Sequence, residues 1–189
     1  MNVKRPRCEV CQNPKARCLC EYAKQIENRI EVIIWQHPSE THHPKGTAKL
    51  LRKCLQRSRI VSGESISEKD LGVNLDCCAL LYPNDSNTPP QGTLKPLKQL
   101  LVLDGTWRKS RKLMYTNPWL NTLPRFSLNK HLSRYSIRKA ERPQQLSTFE
   151  AATFALQTLE NDSAYVDLQE QVFKPYVAHL AHLAQRKSR

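Results

Sequence analysis

"LLVLDGTWRKSRKLM", residues 100–114, decides the fold. Four consecutive apolar residues, Leu100 to Leu103, read as a buried strand. The run stops at Asp104-Gly105-Thr106-Trp107 and passes into a dense basic segment with Arg108, Lys109, Arg111 and Lys112. A helix is predicted from Arg108 to Tyr115, ending at the break Asn117-Pro118.

The same alternation extends both ways. "EVIIW" (31–35) reads as a first strand, and "GTAKLLRKCLQR" (46–57) as a helix with Leu50, Leu51, Cys54 and Leu55 at helical spacing. "CCALLYP" (77–83) is a second strand closed by Pro83, "QLLVLDG" (99–105) a third, and "PRFSL" (124–128) a candidate fourth. "LSTFEAATFALQTLE" places Ser147 and Glu150 at capping-box spacing, with Phe149, Ala152, Leu156 and Leu159 on one face. A last helix carries the stripe Leu168, Val172, Tyr176, Leu180 and Leu183, with a kink or break expected at Pro175. Short apolar strands interleaved with helices predict an α/β domain built on a mostly parallel sheet. "PNDSNTPPQG" (83–92) reads as a surface loop, and no internal repeat is evident.

The charge points to a partner. Thirty Lys and Arg against seventeen Asp and Glu give +13, a field that attracts polyanions, and nucleic acid is the usual partner of such a domain. The apolar runs are too short to span a bilayer, and "MNVKRPRCEV" has no apolar signal core, so a cytosolic protein with no membrane role is expected. No obligate protein partner is evident.

Seven cysteines without an export signal argue against a disulfide framework. Four crowd into "CEVCQNPKARCLC": Cys8, Cys11, Cys18 and Cys20. Two close pairs joined by a short loop can set four sulfurs around one tetrahedral zinc ion. Four reduced cysteines on a tail, or an iron–sulfur cluster, are the alternatives. Zinc with four thiolates would bring the charge near +11. Residues 1–24 are taken as a zinc-binding segment and 25–189 as the main domain. Cys54, Cys77 and Cys78 read as core packing.

In an open parallel sheet, ligands bind beyond the carboxyl ends of the strands. That rule selects "WQHPSE", "LYPN" and "DGTW", with the basic loop 129–148 folding over the same edge. Neither a glycine-rich dinucleotide fingerprint nor a P-loop occurs.

"HPSE" (37–40), "GTAKLL" (46–51), "LLYP" (80–83), "LDGTW" (103–107), "YSIRKAE" (135–141) and "LSTFEA" (146–151) stand in the order of the DTW-domain proteins, and the chain resembles that family from about Cys8 to Leu180. The cysteine cluster stands where bacterial members carry theirs. The tail before Cys8 and the loop after Pro83 are short for the family.

The resemblance implies a tRNA-uridine aminocarboxypropyltransferase with a SPOUT-like sheet and a C-terminal knot that holds S-adenosylmethionine. The implied reaction is attack of a uridine N3, typically in the tRNA variable loop, on the methionine γ-carbon of the sulfonium. Alignment and a base are then the main tasks.

The resemblance assigns Asp104, Thr106 and Trp107 to catalysis. Asp104 is a base or base-orienting group, or else a turn or N-cap aspartate. Trp107 is a stacking platform for the uracil, or else a core anchor. Leu81, Tyr82, Pro83, Gly105, Ile137, Arg138, Ser147 and Thr148 are the implied S-adenosylmethionine wall. Arg138 would pair with the methionine carboxylate unless it is one more solvated cation, and Ser147 doubles as a helix cap. Arg108, Arg111 and Lys112 would hold tRNA phosphates on one helix face, or form a plain solvated face. His37, His42 and His43 read as packing or cofactor contacts rather than a second metal site. A SPOUT-type RNA methyltransferase and a non-catalytic zinc-containing RNA-binding module are the alternatives.

Overall fold

The computed structural model describes residues 6–41, 43, 46–84, 96–128 and 146–186. Five parallel strands form one sheet in the order β2-β1-β4-β3-β5. They are β1 (Glu31–Gln36), β2 (Ser58–Ser62), β3 (Cys78–Leu81), β4 (Gln99–Asp104) and β5 (Arg125–Phe126). Every pairing is parallel.

β2 is the strand that the sequence reading left out. "SRIVS" contains only Ile60 and Val61 as apolar residues, and it lies half-buried at the sheet edge. An edge strand needs no continuous apolar run. Its polar Arg59 is instead anchored by the Glu31 carboxylate on β1, 2.8 Å away.

Helices cover both faces. On one face, Val32, Ile34, Leu100 and Val102 pack against α1 (Ala48–Cys54), α3 (Thr148–Glu160) and the C-terminal helical run, where Phe149 stacks on Phe173 at 4.9 Å. On the other, Ile33, Trp35, Leu80 and Leu101 pack against Leu113 and Met114 of α2 (Trp107–Thr116) and Leu120 beyond it. Trp35 stacks on Trp119 at 5.9 Å, and its indole N–H is satisfied by the Gly63 carbonyl at 2.8 Å. Alternate residues of each strand thus feed alternate layers, as sheets covered on both sides require. Cys54, Cys77 and Cys78 are all buried in this packing.

The break near Pro175 takes a particular form. α4 (Ala164–Asp167) runs into a π-helical stretch, Leu168–Phe173, and then α5 (Lys174–Gln185), with Pro175 in its first turn. Proline offers no N–H, and the preceding turn widens so that the Lys174 N–H reaches the Gln169 carbonyl five residues back.

The N-terminal segment lies on the first face. Leu19 is buried in that core, Tyr22 meets Tyr176 edge-on at 5.5 Å, and the His179 ring contacts the Ala16 carbonyl at 2.9 Å. No helix among the described residues is long and apolar enough to cross a membrane.

Candidate functional site

The topology has one switch point. From β1 the chain moves outward to β2, whereas from β4 it moves the other way to β5, so the crevice between β1 and β4 opens at their carboxyl ends. In the register, the last residues of these strands, Gln36 and Asp104, are direct partners. Their side chains meet there: Gln36 Nε2 donates to Asp104 Oδ2 at 2.6 Å. The other carboxylate oxygen accepts a short hydrogen bond from the Thr148 hydroxyl at the start of α3. Asp104 is 7% exposed, so the sheet and the first turn of α3 are tied together by one buried carboxylate.

Asp104 is therefore not the helix cap. That position belongs to Thr106, whose hydroxyl accepts from the Lys109 N–H at 3.4 Å to begin α2. Gly105 leaves room for the start of α2: a Cβ there would stand 3.1 Å from Lys109 Cβ, a tight contact, and at an ordinary 3.7 Å from His37 Cβ. His37 is buried behind it, with Nδ1 on the Ser39 hydroxyl at 2.9 Å and Nε2 on Glu64 at 3.1 Å. That is a packing and positioning role. His42 lies outside the described residues.

A cavity of about 740 Å3 opens at the ends of β3, β4 and β5. Its walls include Leu81, Tyr82 and Pro83 after β3, Gly105, Thr106 and Trp107 after β4, and Ser147 and Thr148 at the start of α3. Three separated stretches of sequence thus converge on one space. Ser147 caps α3 in a full capping box with Glu150, so cap and wall are one residue. Ile137 and Arg138 lie outside the described residues.

Trp107 is 42% exposed, which removes it from the core-anchor reading. Its ring meets Tyr82 edge-on at 5.7 Å, and the Arg125 guanidinium lies 5.5 Å from the Tyr82 ring centre. Arg108 and Arg111 also line the cavity and are exposed, whereas Lys112 is paired with Glu64 at 2.7 Å. Tyr115 lies one turn beyond Arg111 and is 88% exposed. The sequence reading passed over it as an ordinary helix position. Arg108, Arg111, Lys112 and Tyr115 follow i, i+3, i+4, i+7 spacing, so the aromatic shares the basic face.

The four clustered cysteines do converge. The sulfurs of Cys8, Cys11, Cys18 and Cys20 all lie within 4.8 Å of one another, with Cys8–Cys20 and Cys11–Cys18 both at 3.9 Å. Four sulfurs bound to zinc at about 2.3 Å would be roughly 3.8 Å apart in a tetrahedron. The set fits that ion. Backbone N–H groups of Cys11 and Val10 hold the Cys8 thiol down to about 6. Desolvation within the cluster and the thiols of Cys18, Cys8 and Cys11 push Cys20 up to about 12. The Cys20 backbone lowers the Cys18 thiol, but desolvation and the thiols of Cys8 and Cys11 leave it raised. Four sulfurs this close accumulate negative charge reluctantly, which is the electrostatic problem a bound cation solves.

The chain is 29% identical over 189 residues to mouse tRNA-uridine aminocarboxypropyltransferase 2, covering 93% of this chain and 62% of the relative. The protein of the same name from Macaca fascicularis is 28% identical with the same coverage, and that from Drosophila melanogaster is 28% identical over 172 residues, with 84% and 68% covered. The chain thus spans somewhat under two thirds of the length of the two mammalian relatives. No solved structure matches it. The family model described as the DTW domain matches residues 5–181, cysteine segment and sheet alike, and the chain belongs to the DTW-domain family.

Proposed function

We propose that the protein is a tRNA-uridine aminocarboxypropyltransferase, using S-adenosylmethionine as donor and the N3 of a tRNA uridine, in the variable loop, as acceptor. One observation carries this reading. The "LLYP", "LDGTW" and "LSTFEA" stretches, far apart in sequence, wall a single cavity at the carboxyl ends of the sheet. The names of the curated relatives supply the reaction class.

The cavity suits the donor. Its size is within the range of small-molecule pockets, and Leu81, Val102, Phe126 and Leu146 offer apolar area for an adenine. The amino end of α3 borders the same space through Ser147 and Thr148, but its Phe149 and Glu150 N–H groups are already taken by the Thr47 and Ser147 hydroxyls, so the methionine carboxylate is left to Arg138. Ile137 and Arg138 would complete this wall. The SPOUT-like knot belongs to the same reading.

The donor supplies a sulfonium leaving group. N3 forms a bond to the γ-carbon, the carbon–sulfur bond breaks with its electrons on sulfur, methylthioadenosine departs, and the N3 proton must leave. The chain's own residues manage alignment and that proton. Trp107 stacks on the uracil at the cavity mouth. Thr148 lines the cavity while donating to the buried Asp104, so Asp104 acts as base through the Thr148 hydroxyl, which passes the N3 proton inward. Thr106 fixes the loop by capping α2, and Arg108, Arg111 and Lys112 engage phosphates. Zinc held by Cys8, Cys11, Cys18 and Cys20 orders segment 1–24 against domain 25–189, and the enzyme works on tRNA in the cytoplasm.

The test is incubation with unmodified tRNA and S-adenosylmethionine, followed by nucleoside mass spectrometry. A uridine carrying an aminocarboxypropyl group is the expected product. A methyl group in its place, or unmodified tRNA with intact donor, would reject the reading.

A further inference from the structure

A second cavity, of about 480 Å3, lies on the other side of the wall that Asp104 helps to build. It is bounded by the cysteine segment, the loop after β1, α1 and α5. Gln36 lines it and donates to Asp104, while Thr148 lines the first cavity and donates to the same carboxylate. Glu40 lines the second cavity and Lys109 the first, and the two are paired at 2.6 Å. The cavities therefore stand back to back across one hydrogen-bonded carboxylate and one ion pair.

The charge of the second cavity is one-sided. Arg7 and Arg17 come from the cysteine segment, Lys49 from α1 and Arg186 from the end of α5, with His43 beside them. The single carboxylate among the lining residues is Glu40, which Lys109 engages from the far side. Among the described residues, Lys49 and Arg186 make no ion pair, and Arg7 donates only to the Gln12 carbonyl at 2.7 Å. Four permanent cations set around a concave, partly apolar floor focus a positive potential, and such a shape binds an anion with extended charge. Three separate parts of the chain contribute them. A solvated helix face would place its charges on one element and on a convex surface.

We infer that this second cavity is a phosphate-binding cleft for the tRNA strand, gripping nucleotides that flank the target uridine while the first cavity holds the donor. The inference rests on the proposed reaction and adds a place for the acceptor's backbone. It also gives the cysteine segment a function beyond its own folding, because Arg7 and Arg17 form one bank of the cleft. RNA phosphate is favoured over a small anion because four cations from three separate parts of the chain line the cleft, more than a single small anion needs. Phosphate contacts of this kind position a strand without reading its sequence.

The experiment compares the full-length, zinc-loaded protein with Lys49→Glu/Arg186→Glu and with the milder Lys49→Gln/Arg186→Gln, both away from the cysteine segment. Unmodified tRNA is titrated at several salt concentrations, with zinc content and S-adenosylmethionine affinity measured on the same samples. The Gln pair should weaken tRNA binding about tenfold and flatten the slope of log affinity against log salt by roughly 1.5, two phosphate contacts being lost. The Glu pair should weaken it further. Zinc content and donor affinity should stay unchanged, and the Lys49→Arg/Arg186→Lys swap should restore binding. If wild type binds tRNA and both charge variants bind it with the same affinity and slope, the cleft is not an RNA site. If free phosphate at millimolar levels competes while tRNA affinity is indifferent to the substitutions, the cavity takes a small anion and the inference falls. Wild type that fails to bind tRNA at all overturns the proposed function, and this inference with it.

Discussion

The crevice and the cysteine segment are built by opposite means. In the crevice, sheet register sets Gln36 opposite Asp104, and a buried carboxylate locks Thr148 to both. Its geometry is inherited from a core of Ile34, Leu100, Val102 and their neighbours. The described part of the cysteine segment, residues 6–24, buries only Cys11 and Leu19. So small an apolar contribution cannot offset the backbone entropy of ordering that stretch. On the proposed reading its shape comes from four sulfurs and an ion. One region is fixed by the hydrophobic effect, and the other would be fixed by coordination. The two should therefore fail separately.

Removing the metal is the largest perturbation. Chelation, or Cys8→Ser with Cys11→Ser, should abolish zinc binding and open the segment to protease, while the sheet keeps its cooperative unfolding and its affinity for S-adenosylmethionine. Affinity for tRNA should drop about tenfold as Arg7 and Arg17 leave the second cleft. Loss of the whole fold on chelation, seen by circular dichroism, would break the contrast. The pH dependence has a definite sign. With only Cys8 held down, to about 6, before metal arrives, zinc must displace protons from the other thiols near neutrality, the raised Cys18 and Cys20 among them. Apparent zinc affinity should fall as pH drops, by about tenfold per unit for each proton released. A chelator competition titration at three pH values measures this.

The next effect strikes the other region and leaves the first intact. Asp104→Asn should lower the single-turnover rate by about 10²- to 10⁴-fold, with zinc content untouched. Thr148→Val removes the hydroxyl that links the carboxylate to the cavity. If the two residues act as one proton path, the double variant should be little slower than the worse single one. A rate within threefold of wild type in Asp104→Asn would show that the carboxylate only braces α3. A loss of donor affinity that matches the loss of rate would instead place it against the methionine amino group.

How legible each region was follows from the range of its interactions. The capping box of α3, the helical stripe of α1 and the apolar run of β4 are local patterns, and each stands where its sequence signals it. The cysteine spacing is equally local, and the four sulfurs do meet. β2 was missed because an edge strand hides its signal in two β-branched residues, Ile60 and Val61. Gln36 was missed for a different reason: a polar residue at the end of an apolar strand carries meaning only through a partner 68 positions away. Asp104 was singled out, but its partner Thr148 is 44 positions on, and no periodicity links them. The second cleft draws its cations from three parts of the chain, none of which reads as a basic motif by itself.

A smaller effect is expected on α2. Changing Arg108, Arg111 and Lys112 together to Ala should flatten the salt dependence of tRNA binding by roughly 1.5, because Lys112 is already engaged by Glu64 and contributes least. Arg108→Ala and Arg111→Ala should each exceed Lys112→Ala. Equal effects from all three would mean that the Glu64 pair opens when tRNA arrives. An unchanged slope in the triple variant would make this a plain solvated face and leave RNA docking to the second cleft.

The smallest effect tests whether that helix contributes anything beyond charge. Tyr115 is 88% exposed at the end of the basic face, so its ring is open to a stacking partner. If it stacks on a splayed base, Tyr115→Ala should weaken tRNA binding about fivefold, near the lower end for base–aromatic stacking at a rim position. Tyr115→Phe keeps the π-face and should bind as wild type does. The salt slope should not move in either, since no counterion is released by an uncharged ring. Thermal stability should also hold, because so exposed a side chain contributes little to the folded state. Charge and stacking are thereby read on separate axes of one titration: the Arg variants change the slope, and Tyr115→Ala shifts the intercept. A Tyr115→Ala protein with wild-type affinity at every salt concentration would leave α2 a purely electrostatic surface.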